Sequence, residues 1–345
     1  MEKLGQFEIL FRNPYAIYKP GEVLHGTVRF RVYDRFQTSG IYLIATGDSY
    51  CKWYRQSYED TEVHSSYVLH FIEIVYFFDS YSFLVPGNYL YKFQISLPSS
   101  NLPHYFHYDK ASTKYYCRAS ITFLDRLDLN VVRCFNVIGD IDYNSDLKQP
   151  FEIIEWSRTL GSLCFKSKPI NVRLDLKKRS FVSGETIDCQ LKIENNTSRN
   201  IKLEYVALKQ AIYLIADYND RFHDIVRVEI NKIIGKRSED SISDIKLQVP
   251  AVSPSFNHAK VFEVGYFLLV SIKPGKMRLR MKFKVPILIG SVCNRKEIHF
   301  EHFPTVTFNE NFAALTHEDE KSNGCDSDLD QFSPLYRFFY FNANI

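Results

Sequence analysis

No apolar stretch of this sequence approaches the ~20 residues that a membrane-spanning helix requires, which excludes a helical membrane-embedded body. The first ten residues include Glu2 and Glu8 and no uninterrupted apolar segment, so no secretory signal is read there. Long basic runs are missing as well. The 43 Lys and Arg stand against 40 Asp and Glu, a formal net charge of +3 that leaves no nucleic-acid footprint and is compatible with weak attraction to an anionic membrane surface. Seven cysteines (Cys51, Cys117, Cys134, Cys164, Cys189, Cys293, Cys325) lie far apart, with no CxxC and no His pair at zinc-finger spacing. An odd number of scattered thiols without a signal segment reads as reduced cysteine in the cytosol.

Catalytic motifs are equally scarce. Gly-rich phosphate loops, HExxH and GxSxG do not occur. His104 and His107, and His299 and His302, fall three apart in loop-like or strand-like segments, where that spacing does not gather metal ligands. Asp326, Asp328 and Asp330 alternate like the start of a calcium loop, but Gln331 and Arg337 stand where its Gly and closing Glu belong, so they read as a solvated acidic face. No catalytic, cofactor-binding or metal-binding residue is assigned, no cofactor is expected, and the chain is expected not to be an enzyme.

What is abundant is aromatic surface. Phe (28) and Tyr (23) lift the aromatic share to 15%, and such side chains suit a half-buried pleated sheet. Helical periodicity is rare, while apolar runs of strand length recur between Pro, Gly, Asn and Ser. Phe7 to Phe11, Val28 to Val32, Ile41 to Ala45, Val68 to Tyr76, Tyr89 to Leu97 and Tyr115 to Phe123 are expected strands of a first half. Ile170 to Leu176, Thr186 to Ile193, Ile201 to Ile215, Val261 to Ile272 and Met277 to Val285 are expected strands of a second.

The halves resemble each other. Tyr18-Lys19-Pro20-Gly21-Glu22 followed by a strand is answered 163 positions later by Phe181-Val182-Ser183-Gly184-Glu185 and another strand. Thr38 to Leu43 is answered by Thr197 to Leu203, and Phe93 to Pro98 by Ile245 to Pro250. A repeat of this length is a duplicated domain rather than a solenoid unit. Glycine supplies the positive φ that a turn between strands needs, so Gly21, Gly184, Gly87 and Gly275 are read as turns rather than ligand loops. Asn195-Asn196-Thr197-Ser198, two overlapping glycosylation-type sequons, reads as a turn for the same kind of reason.

In these residues the sequence resembles the arrestin superfamily, most closely the arrestin-domain-containing proteins or α-arrestins. The resemblance also rests on Gly40-Ile41 before Gly47 and Trp53, on Leu102-Pro103 and Tyr115-Tyr116, on Val264-Gly265-Tyr266 and on Pro286 to Gly290, and it covers about residues 5 to 292. It implies an all-β chain of two tandem antiparallel β-sandwich domains, immunoglobulin-like and arrestin-type. The expected boundaries are residues 1–150 and 165–305, with a flexible acidic and aromatic tail at 306–345. The implied function is a non-enzymatic adaptor that binds cytosolic tails of membrane proteins and links them to ubiquitination or endosomal trafficking machinery. It would be cytoplasmic, with recruitment to the plasma membrane or endosomes. The alternative is a retromer-type structural trafficking subunit.

The sequence departs from the family at His104-Tyr105-Phe106-His107, where relatives carry a Ser-Phe-Glu-Gly-like turn. In the tail, many α-arrestins present Pro-Pro-x-Tyr, which docks on WW domains of ubiquitin ligases. Here the nearest string is Ser333-Pro334-Leu335-Tyr336, which makes Pro334 and Tyr336 the candidate residues of a degenerate WW ligand; the other reading of Phe332 to Phe339 is a final segment that docks back by its aromatics or hangs free.

Overall fold

The structure is a computed structural model that describes residues 4–56, 61–100, 102–124, 126–141, 152–159, 168–215, 221–275, 280–292, 305–310 and 332–341. Among these the regular structure is entirely β. The first half contains β1 (Leu4–Phe11), β2 (Ile17–Tyr18), β3 (Val23–Val32), β4 (Phe36–Thr38), β5 (Gly40–Gln56), β6 (Thr61–Phe78), β7 (Ser82–Leu84), β8 (Gly87–Ser96), β9 (Phe106–Tyr108), β10 (Ala111–Thr122), β11 (Leu129–Cys134) and β12 (Asn136–Val137). The second contains β13 (Glu152–Arg158), β14 (Ile170–Leu176), β15 (Ser180–Val182), β16 (Thr186–Asn195), β17 (Ile201–Leu214), β18 (Arg221–Ile234), β19 (Ser238–Gln248), β20 (Phe262–Pro274) and β21 (Met281–Gly290). Two strands follow, β22 (Thr305–Glu310) and β23 (Leu335–Tyr340).

Alternation drives these elements together. In β14 every second residue, Ile170, Val172, Leu174 and Leu176, is buried, and in β21 Met281, Phe283, Val285 and Ile287 are. Burying such a side chain stabilises by about 1.5–3 kcal/mol, so each strand must find a facing sheet. In the first domain β1-β3-β8 faces β11-β10-β5-β6; in the second β13-β14-β16-β19 faces β15-β21-β20-β17-β18. The duplication is visible in this order. β1-β3-β8 corresponds to β14-β16-β19, and β10-β5-β6 to β20-β17-β18. β13 lies between the two expected domains in sequence, yet it pairs along its length with β14 and so belongs to the second sandwich.

The Gly-Glu turns are duplicated in their glycine conformation and their Glu side-chain bonds, while the Gly amides reach carbonyls one position apart in the repeat. Gly21 and Gly184 have φ of 83° and 99°, which glycine alone adopts without strain. The Gly21 amide donates to the Pro98 carbonyl at 3.0 Å, and the Gly184 amide to the Val249 carbonyl at 2.7 Å. Glu22 accepts from the Lys19 amide at 2.9 Å, and Glu185 from the Val182 amide at 3.0 Å. Gly275 is also left-handed, but Gly87 is not: it opens β8 directly opposite Val32 in extended pairing, so its expected positive φ is corrected.

Around the expected tail 306–345, Thr305–Glu310 pairs antiparallel with Leu335–Tyr340, and residues 311–331 and 342–345 lie outside the described residues. The Asn195 side chain is fully buried and holds its turn by donating to the Arg199 carbonyl at 2.8 Å and the Gly235 carbonyl at 2.6 Å. The four described cysteines, Cys51, Cys117, Cys134 and Cys189, are buried and unbridged.

Candidate functional site at the domain seam

The two sandwiches meet along a seam built from the segment 102–108 and the segment 136–141 of the first domain and the segments 251–265 and 288–291 of the second. Apolar contact dominates at one end. Phe106 packs with Phe262 and Phe256 at ring-centroid distances of 5.4 and 6.0 Å, and the buried Cys51 thiol faces the Val261 carbonyl at 3.5 Å. Cys51, Phe106 and Ala111 therefore join the core of the second domain. Backbone bonds close the other end. Ser291 donates its amide to the Ile141 carbonyl at 3.0 Å and its hydroxyl to the Gly139 carbonyl at 2.7 Å, and the Ile141 amide donates back to the Ser291 hydroxyl at 2.8 Å.

β23 is seated in this seam. Tyr336 is 1% exposed, and its phenol donates to the Tyr105 carbonyl at 2.8 Å. Burial pushes its pKa well above that of a free phenol, against a bond with Ser253. The Asn136 amide group donates to the Leu335 carbonyl, and the Phe339 amide to the Ser183 carbonyl at 3.0 Å. Phe339 lies directly on the second Gly-Glu turn: a Cβ built on Gly184 would stand 1.9 Å from the Phe339 carbonyl oxygen, whereas one built on Gly21 would meet nothing closer than Ser99 at 3.5 Å. The two turns share a left-handed glycine and a Glu side-chain bond but are unequal in use.

A charged group crosses the same place. Arg337 donates to the Asp140 carboxylate at 2.7 Å and to the Ser291 carbonyl at 3.0 Å, while Lys19 reaches the other Asp140 oxygen at 3.0 Å. Desolvation opposes the Asp140 charge, but the bonds from Arg337 and Lys19 outweigh it and hold its pKa below the usual carboxylate value. Three parts of the chain, the first Gly-Glu turn, the end of the first domain and the last strand, are thus tied through one carboxylate.

Beside it is a cleft of about 690 Å³ whose walls include Lys19, His104, Asp140, His258 and Glu263. His104 is fully buried, and neither ring nitrogen has a hydrogen-bond partner among the described residues. Burial first, then the nearby Arg337 and His258, lower its pKa to about 3, so the ring is neutral. A neutral imidazole in a seam is a packing element here, tilted against the Phe256 ring at 6.1 Å.

The residues singled out in the sequence fall as follows. Pro334 and Tyr336 are both buried, and in this seat neither can enter the aromatic groove of a WW domain. His104 and His107 flank Tyr105 in the seam, and no group of metal-ligating residues occurs among the described residues. His299, His302, Asp326, Asp328 and Asp330 lie outside the described residues. Arg337 was legible only as a residue in the wrong place for a calcium loop. Its partner Asp140 carries no local signal of a role, because the pair is 197 positions apart.

Comparison with known proteins matches residues 7–144 to the family model described as "Arrestin (or S-antigen), N-terminal domain" and residues 166–294 to "Arrestin (or S-antigen), C-terminal domain". Together the two matches cover most of the chain. Arrestin domain-containing protein 4 of Mus musculus is 26% identical over 61% of this chain and 50% of its own length. The chain thus spans about half of that relative. Arrestin domain-containing protein 17 of Caenorhabditis elegans is 24% identical over 85% of this chain and 72% of its own length, and the human Thioredoxin-interacting protein is 24% identical over 84% and 75%.

Proposed function

The chain belongs to the arrestin family, and from that premise we propose that it is a non-enzymatic adaptor that binds cytosolic segments of membrane proteins and couples them to ubiquitination or endosomal trafficking machinery. The observation that carries the reading is the pairing of two complete arrestin sandwiches into one continuous body, with the seam closed by side-chain and backbone bonds from both. Such a body offers broad sheet faces and end loops for protein binding. Recruitment to the plasma membrane or endosomes belongs to the same proposal, since its cargo is membrane-borne.

Ligase recruitment through Pro334 and Tyr336 is compatible with this structure only after β23 has left its seat, since both residues are buried. The adaptor in its closed form therefore works through its sandwich surfaces. Affinity capture of the intact chain from detergent-solubilised cells tests the proposal. Enrichment of integral membrane proteins together with sorting or ubiquitination factors supports it. Stoichiometric co-purification with a single helical-repeat partner and no membrane proteins would favour the retromer-type subunit instead.

A further inference from the structure

The outer face of the β11-β10-β5-β6 sheet carries a long apolar stripe that remains open to solvent. Along β6, Val63, Tyr67, Leu69, Ile72, Ile74 and Tyr76 are each between 45% and 64% exposed. Odd positions up to Leu69 and even positions from Ile72 could not ordinarily share a face, because side chains alternate along a strand. They do so here because the register slips at His70: Leu69 pairs with Asp48, and Phe71 pairs with Gly47. The slip is pinned from inside, where His70 bonds the Ser49 hydroxyl at 2.8 Å and Ser49 bonds Thr113 at 2.7 Å. At ~3.3 Å per residue the stripe is about 40 Å long.

The neighbouring strand widens it. Tyr42, Tyr50 and Tyr54 of β5 stand opposite Tyr76, Tyr67 and Val63, and the Tyr42 and Tyr76 rings lie 6.0 Å apart. The charged side chains sharing this face on β5 and β10 are Lys52, Lys114, Arg118 and Asp48, by the register that places Lys114 beside Asp48 and Arg118 beside Ile44, and Lys52 is paired at the end of the face with Asp109 at 3.3 Å. Three of the four are cations. Burial raises the Asp48 pKa to about 6 against the pull of Lys114, which disfavours its negative charge. The carboxylates of β6, Glu62 and Glu73, take the alternate positions and point to the other side.

This combination selects among occupants. A partner strand would add to an edge through main-chain bonds and would need few side chains on the face. Here tyrosines and branched aliphatics spread over two strands, with Lys and Arg beside them. Tyrosine settles with its ring at the boundary of a bilayer and its hydroxyl towards the headgroups, aliphatics enter the acyl region, and cations meet anionic lipid.

We propose that this face is a membrane-docking surface whose occupant is an anionic lipid bilayer. The inference deepens the adaptor reading, on which its cellular meaning rests, by naming the surface turned to the membrane. Co-sedimentation of the full chain with phosphatidylcholine vesicles, with and without phosphatidylserine, contains no cargo and so tests the surface separately from the adaptor proposal.

The wild-type chain should bind phosphatidylserine-containing vesicles more tightly than phosphatidylcholine alone. Ile72→Thr with Ile74→Thr keeps β-branched residues in the strand and should lower the partition coefficient on the order of tenfold. Lys114→Gln with Arg118→Gln should remove the preference for phosphatidylserine, again on the order of tenfold. Unaltered thermal unfolding verifies that both variants are folded. Binding that the threonine pair leaves unchanged, or no binding to either vesicle, would overturn the proposal. So would a wild-type dimer in gel filtration that the threonine pair converts to a monomer, since the occupant would then be a second copy.

Discussion

The Tyr336 phenol and the Tyr105 carbonyl are joined by a 2.8 Å hydrogen bond across 231 positions of sequence. Tyr105 belongs to the loop where this chain departs from the family's usual turn, and its ring lies 4.9 Å from Phe332, just before the last strand. The departure and the seat of β23 are therefore parts of one arrangement. Tyr336→Phe should lower stability by about 1 kcal/mol, the value of one buried neutral hydrogen bond, and Tyr336→Ala by about 3–5 kcal/mol through the cavity it leaves. Urea unfolding of the two variants checks both values, and a wild-type midpoint for Tyr336→Ala would mean that the seat is empty in solution.

The two glycines of the duplicated turn should respond differently to the same change. Gly21→Ala meets only the strain of a positive φ, on the order of 1 kcal/mol. Gly184→Ala adds a clash with the main chain of Phe339 and should unseat β23 as well. Hydrogen exchange of the amides from Leu335 to Tyr340 distinguishes them: fast in Gly184→Ala and unchanged in Gly21→Ala.

Stability should fall as pH drops from about 6.5 towards 4. His104 and His70 have folded pKa values lowered to about 3 and about 4, so both remain neutral in the fold while the unfolded chain takes up their protons below 6.5. Each contributes stability that is present above the unfolded pKa and lost as pH falls. Asp48, raised to about 6, acts in the opposite sense, because the folded carboxyl binds its proton first. Two histidines against one carboxyl leave a net slope of the sign given by the histidines. His104→Leu, which removes a buried polar ring without partners among the described residues, should raise stability more at pH 5 than at pH 7.5. Unfolding midpoints at the two values test this, and a larger gain at pH 7.5 would contradict it.

Exposure of the Ser333-Pro334-Leu335-Tyr336 string should depend on the seat. The wild-type full chain is expected to show no saturable binding to an immobilised WW domain, whereas Gly184→Ala should bind, and addition of Pro334→Ala should abolish that binding. Surface plasmon resonance reads all three. Equal binding by the wild-type and Gly184→Ala chains would separate the string from the position of β23.

The sandwich strands were legible because one-sided burial writes itself into sequence as alternation: Ile170 to Leu176 reads directly as β14. β18 was not singled out, although Val226, Val228 and Ile230 alternate with Arg227 and Glu229 and pack on the core of the second domain; as an edge strand it buries only Ile225 and Ile234 fully, and charged residues interrupt its apolar positions. The duplicated Gly-Glu turn was visible as a repeat, but its unequal use was not, because the clash that distinguishes Gly184 comes from Phe339, far downstream. Arg337 and Asp140 were hidden for the same reason. A contact over 197 positions leaves no local pattern, and an arginine in an aromatic stretch resembles any solubilising charge. The bulge at His70 was also invisible, although it decides which residues of β6 share a face.

The most direct test of the adaptor reading is proximity labelling in cells with the intact, folded chain. The expected neighbours are rich in integral membrane proteins and in ubiquitination or endosomal sorting factors. A neighbour set without membrane proteins would contradict it.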